Sequence, residues 1–140
     1  MIVGYTAGVY DLFHIGHLNL LRNAKKHCDK LIVGVTTDEL VQYKGKKPVI
    51  TLSERMEIVK AIRYVDEVVV QDDLDKVKAW DKYHYDILFV GSDWQGTDKW
   101  NMYEAQLKEK GAKVIYLPYT KTTSSTLLTN VLKELAKVNS

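Results

Sequence analysis

Two histidines three residues apart, His14 and His17, flank Gly16 just after a turn that opens at Gly8. The turn, Gly8-Val9-Tyr10-Asp11, follows an apolar, β-prone run over residues 1–7 and precedes an amphipathic run over 18–27. Strand, tight turn and helix start in that order present unpaired backbone N–H groups at the positive end of a helix dipole, which suits phosphate. Side chains at i and i+3 share one face of a helical turn, so both imidazoles can point at one phosphate. Gly16 has no side chain and lets a ligand approach the backbone. A zinc pair would need a third and a fourth ligand. Cys28 is the one cysteine, and no further cluster at ligand spacing accompanies the histidines. The plainer rival reading makes both histidines ordinary helix-cap residues.

No nucleophile–base pair stands out elsewhere, but further phosphate-binding groups do. Lys44, Lys46, Arg55 and Arg63 supply positive charge, and Ser124, Ser125 and Thr126 supply hydroxyls and free N–H groups at the start of a last helix. Such a set suits phosphoryl transfer, in which little covalent chemistry falls to the protein. Fixed donors aimed at the charge building on phosphorus, together with the proximity of two bound substrates, would do most of the work. Each residue has a duller rival. Lys44, Lys46 and Lys47 read equally as a solvated loop, and Arg55 and Arg63 as surface partners of Glu54, Glu57 or Asp66. Ser124 and Ser125 could be plain caps, Trp94 a core residue, and Asp11 a dipole partner of the first helix.

The elements that must position these groups alternate along the chain. Strands are expected over 2–7, 31–36, 68–71, 87–90 and 114–117. Helices are expected over 16–27, from Thr51 onward, over 73–83, 100–110 and 127–137, with Gly111 as a natural stop. Thr51 and Glu54 have capping-box spacing, and Leu52, Met56, Val59 and Ile62 form a buried stripe. Alternation of this kind predicts an α/β fold: a Rossmann-like, doubly wound, five-stranded parallel sheet with helices on both faces. Ligands in such sheets bind at the carboxyl ends of the strands, near the reversal in strand order. The turn at Gly8, the loop 91–96 and the polar run 119–126 all fall on that edge.

The totals narrow the field. A chain of 140 residues, 46% hydrophobic and 27% charged, predicts one domain over 1–140 with a real core. A net charge of +2 is too small to argue for a nucleic-acid partner. A single cysteine fits a reducing, cytoplasmic setting, no run approaches a membrane span, and the first strand leaves no room for a signal peptide.

The stretch Gly8-Val9-Tyr10-Asp11-x-x-His14-x-Gly16-His17 resembles the HxGH motif of the nucleotidyltransferase superfamily. Arg63-Tyr64-Val65-Asp66-Glu67-Val68 resembles the arginine-containing motif of its cytidylyltransferase branch, and Gly91-Ser92-Asp93-Trp94-Gln95-Gly96 resembles that branch's Gly-x-Asp-Trp-x-Gly loop. The resemblance spans essentially the whole chain. It implies transfer of CMP from CTP, accompanied by Mg²⁺, to a small phosphorylated alcohol, glycerol 3-phosphate first, with release of diphosphate. Phosphoethanolamine, phosphocholine or another polyol phosphate is the alternative acceptor. Adenylyl transfer within the superfamily and a non-catalytic nucleotide-binding module are the alternative functions. By the same resemblance His14, His17, Lys44, Lys46 and Arg63 are catalytic, and Lys44, Lys46 and Arg55 bind the acceptor. The nucleotide would touch Gly8, Val9, Tyr10 and Gly16 with the two histidines, Arg63 with Asp66 orienting it, and Gly91, Asp93 and Trp94 around the cytidine. Thr120, Lys121, Ser124, Ser125 and Thr126 would serve the triphosphate. No residue is assigned as a metal ligand, a homodimer is expected, and the product would be a CDP-activated alcohol for a teichoic acid or capsule polymer. One motif departs: the family usually carries Arg-Thr-x-Gly-Ile-Ser-Thr-Thr where this chain has Tyr119 to Thr126, so a tyrosine replaces the arginine and Thr122 the glycine. Lys121 could stand in for the arginine, as a point charge without bidentate geometry. Val9, where a threonine is usual, is a smaller departure.

Overall fold

In the computed structural model, residues 1–43, 45, 47–120 and 125–138 are described. Among them the strands are β1 (Val3–Gly8), β2 (Lys30–Thr36), β3 (Glu67–Gln71), β4 (Ile87–Gly91) and β5 (Lys113–Leu117). The helices are α1 (Ile15–Lys25), α2 (Asp38–Tyr43), α3 (Leu52–Lys60), α4 (Lys76–Tyr83), α5 (Asp98–Glu109) and α6 (Ser125–Val138), and a 3₁₀ turn covers Ser92–Trp94. Each expected element is present, with ends displaced by a few residues. The helix expected from residue 73 begins instead at Lys76, because Asp75 caps it by accepting from the N–H groups of Val77 and Lys78.

All strand pairs are parallel and the order is β3-β2-β1-β4-β5. Strand order therefore reverses between β1 and β4. Backbone pairing there covers Gly4 with Ile87 and Tyr5 with Leu88. Farther along, the Thr6 hydroxyl donates to the Phe89 carbonyl at 3.0 Å. A crevice opens beyond that bridge, as the switch-point rule requires.

The strands alternate faces with period two. Leu31, Val33 and Val35 of β2 join Leu21 and Ala24 of α1 and Val59 of α3 in one core layer. Ile32 points the other way, into a layer with Tyr5, Tyr85, Trp100 and Leu107 under α4 and α5. Both faces are covered, which explains why β2 reads as a continuous apolar run. Thr51 is the N-cap of α3 but makes no side-chain cap bond, so the expected capping box is absent. Asp38 instead accepts from the Leu52 N–H at 3.4 Å.

Candidate active site

The crevice between β1 and β4 widens into a cleft of about 340 Å³. One wall is the β1–α1 turn: Gly8, Val9, Tyr10, His14, Gly16 and His17. The other is built by Gly91 at the end of β4, by Trp94 just after it, and by Tyr119, Thr120 and Thr126 after β5. Thr6, Ala7, Leu20, Val90 and Pro118 also line it and carry no site assignment from the sequence. Ala7, Val90 and Pro118 each adjoin a residue that the sequence singles out, whereas Thr6 and Leu20 do not. A second groove, of about 680 Å³, lies over α3 and β3 and is lined by Leu52, Met56 and Val68 among others. It carries none of the anion-binding groups of the first, so size is a poor guide to the chemistry here.

His14 is the N-cap of α1 and His17 its third helical residue. The Gly16 N–H donates to His14 Nδ1 at 3.0 Å, and the His14 N–H donates to His17 Nδ1 at 3.3 Å. The two imidazoles thus form a reciprocal capping box, a task usually done by Ser or Thr with Glu. Their rings stack with centroids 4.0 Å apart, and Tyr10 and Phe13 pack against His17 at 5.3 and 5.2 Å. The cap reading and the phosphate reading are therefore both open to the same residues. Burial lowers the pKa of His14. Burial, and then the charge of His14, lower that of His17 to about 4, against a smaller opposing pull from Asp11. Both rings are neutral at pH 7. Because each Nδ1 accepts, each proton sits on Nε2, which makes each imidazole a neutral donor at its outer nitrogen.

The turn before them is strained and heavily braced. Tyr10 and Leu12 hold left-handed backbones at φ 54° and 50°, a conformation that costs a non-glycine residue on the order of 1 kcal/mol or more. Asp11 accepts from the N–H groups of Val49 and Ile50 at 2.8 and 2.9 Å. It is a brace between two loops rather than a dipole partner of α1.

Arg55 braces the same place from behind. Its side chain is fully buried. Nε donates to the Ile50 carbonyl, Nη1 to those of Val9 and Thr36, and Nη2 to Asp38 at 2.5 Å. The expected acceptor contact is thereby corrected: a guanidinium with no exposure and these four acceptors positions the turn and cannot reach a substrate.

Arg63 and Asp66 are also not brought to the cleft. Helix α3 runs back along the sheet, so the turn after it lies at the amino edge of the strands. Asp66 accepts from Lys25 at 2.6 Å and from the Leu31 N–H at 2.8 Å, pinning the start of β2, and does not orient Arg63. Arg63 is exposed. Its neighbour Tyr64 accepts from Arg22 Nε at 3.2 Å, and Arg22 lies two turns, roughly 12 Å, along α1 from His14. Asp93 is exposed beside Trp94 and faces Tyr119 closely enough to act on its pKa. Lys44, Lys46, Lys121 and Ser124 lie outside the described residues, and Ser125 is described only as the first residue of α6.

Among the described residues no group of three or more His, Cys, Asp or Glu side chains could hold a metal. No helix among them is long and apolar enough to cross a membrane.

The chain is similar to known proteins along nearly all its length. It is 38% identical to a glycerol-3-phosphate cytidylyltransferase of Staphylococcus aureus, over 86% of this chain and 87% of that one. It is 37% identical to an FAD synthase of Thermococcus sibiricus, over 81% and 78%. A crystal structure of a lipopolysaccharide core biosynthesis protein from Thermoplasma volcanium superposes with a TM-score of 0.72 at 27% identity, over 88% of this chain and 99% of that one. Residues 5–131 match the cytidylyltransferase-like family model, a span that runs from β1 through both walls of the cleft into α6. The protein belongs to the cytidylyltransferase-like family.

Proposed function

We propose that the chain transfers the cytidylyl group of Mg²⁺-bound CTP to the phosphate of a small phosphorylated alcohol, glycerol 3-phosphate first. An acceptor phosphate oxygen attacks the α-phosphorus, the bond from that phosphorus to the bridging oxygen breaks, and diphosphate leaves. Mg²⁺, accompanying the triphosphate, would offset the charge of its oxygens, and no described residue is assigned to hold it. The observation that carries this reading is the inward turn of both Nδ1 atoms. Each histidine keeps an Nε2–H donor for phosphate oxygens and has no free lone pair with which to take a proton. The reaction asks for none: a phosphate monoester loses its second proton at about pH 6, so the acceptor arrives as a nucleophile. Two preorganised donors at the α1 start then stabilise charge on the five-coordinate phosphorus. Lys44, Lys46 and Lys121 supply positive charge to the phosphates in this reading, and Ser124, Ser125 and Thr126 supply hydroxyls. The assembly proposed is a homodimer.

The test is diphosphate release by the purified chain with Mg²⁺, crossing CTP and ATP with glycerol 3-phosphate, phosphoethanolamine and phosphocholine. Release confined to CTP with glycerol 3-phosphate is expected, and His14→Ala or His17→Ala should cut turnover about 10²-fold or more. Release with CTP and another acceptor would keep the mechanism and move the substrate. Adenylyl transfer is the second reading, favoured by the likeness to FAD synthases, and release with ATP alone would establish it.

A further inference from the structure

We propose that Tyr119 is a nucleobase platform: its ring, seated on Gly91 beside Trp94, stacks on the base of the nucleotide whose phosphates lie at the His14–His17 end of the cleft. The proposal rests on the nucleotidyl-transfer reading above and assigns a role to the residue that stands where the family motif has its arginine.

The two ends of the cleft differ in chemistry. The β1–α1 turn offers N–H donors. The opposite wall offers rings: Trp94 is 50% exposed and Tyr119 is 52% exposed, and both line the cleft. Tyr119 is held in place by what is missing beneath it. A Cβ on Gly91 would lie 2.6 Å from the Tyr119 hydroxyl and 2.7 Å from the ring carbon bearing it. The ring therefore rests directly on the β4 backbone, in space that any other residue would fill. Gly91 has φ −65°, a value open to every residue, so close approach and not backbone freedom is what makes a glycine fit here. Asp93 and Trp94 lie close enough to the hydroxyl to act on its pKa. Burial, followed by the charge of Asp93, raises the Tyr119 pKa, so the phenol stays neutral and brings no charge to a phosphate. A neutral ring anchored at one end and half open to the cleft can offer a planar base a face, an interaction indifferent to the exact base.

The experiment compares binding of CTP and of inorganic tripolyphosphate, each with Mg²⁺, by calorimetry on the whole chain. Tyr119→Ala should weaken CTP about 5- to 150-fold, the range for loss of one base–aromatic stack. It should leave tripolyphosphate binding unchanged. Tyr119→Phe keeps the ring and should recover most of the CTP affinity. Gly91→Ala should dislodge the ring, weaken CTP by itself and add little to Tyr119→Ala. Three results would overturn the proposal: CTP affinity indifferent to Tyr119→Ala, an equal loss for both ligands, or a Phe variant as weak as the Ala variant. An equal loss would assign a contact to the phosphates, and a weak Phe variant would assign the contact to the hydroxyl. Failure of the cytidylyl reading would show separately, as wild-type turnover with ATP and none with CTP. The same affinity ratio, taken with ATP in place of CTP, then decides the role of the ring.

Discussion

Replacing Arg55 separates a positioning role from a substrate-binding one. The guanidinium is fully buried and donates to the carbonyls of Ile50, Val9 and Thr36 at 2.9, 2.7 and 2.8 Å and to Asp38 at 2.5 Å. Arg55→Ala removes the donor to every one of these acceptors at once. A buried polar group left unpaired costs about 1–3 kcal/mol, and the losses do not add in full because water enters the space. Asp38 is 34% exposed and is rehydrated when its partner goes, so the whole change falls at the low end of the about 3–5 kcal/mol that breaking a fully buried pair costs. At roughly 2–4 °C per kcal/mol, the melting temperature should drop on the order of 10 °C. Arg55→Lys keeps the charge but not the fork, and should recover only part of the loss. The assay is thermal unfolding alongside KM for each substrate. An unchanged melting temperature with KM raised for the acceptor alone would refute the reasoning and restore Arg55 as a substrate contact.

Two further outcomes follow from the geometry. The unfolded chain protonates His17 near its ordinary 6.5, whereas the folded chain does so only near about 4. Stability from this group is therefore complete above pH 6.5 and is lost as pH falls toward 4, by about 1.4 kcal/mol per pH unit and about 3 kcal/mol in all. Urea unfolding of the wild type and His17→Gln from pH 7 to 4 should show their difference narrowing by that amount, and a constant difference would mean that His17 titrates normally. Asn19 donates to the Thr120 hydroxyl at 2.9 Å, and Arg22 Nη1 donates to the Asn19 carbonyl oxygen at 3.1 Å. Asn19→Ala should raise KM for the nucleotide more than it lowers kcat, and a cycle with Thr120→Val should show coupling of about 0.5–1.5 kcal/mol; full additivity would count against the contact.

The order of strands and helices was legible because each strand is a short apolar run and each helix has its own stripe and stops. So was the turn at Gly8, whose residue types have one sensible structural context. Arg55 was not legible, because three of its four partners are backbone carbonyls, two of them 46 and 19 residues away, and a carbonyl leaves no mark in a sequence. Asp66 could have been placed. It directly precedes β3, and a residue ahead of a strand in a parallel sheet lies at the amino edge, away from the carboxyl edge where ligands bind. Tyr119 was seen as a missing arginine. Its ring became visible as a surface only once Gly91 was found underneath it.

The histidine capping box limits what could ever replace those residues. Phosphate sites elsewhere accept lysine or arginine readily, since positive charge is what the ligand asks for. Here each side chain must accept a backbone N–H with one atom while donating outward with another. Lysine and arginine have no acceptor, so either would release the start of α1 while supplying the charge. Serine, threonine and aspartate cap well but are too short to carry a second, outward-facing donor across the ring's width. A neutral imidazole holds acceptor and donor on opposite sides of one rigid ring. The site is thus closed to substitution by the residues usually exchanged among phosphate binders, and a change of substrate in this fold has to be sought on the β4 and β5 side of the cleft.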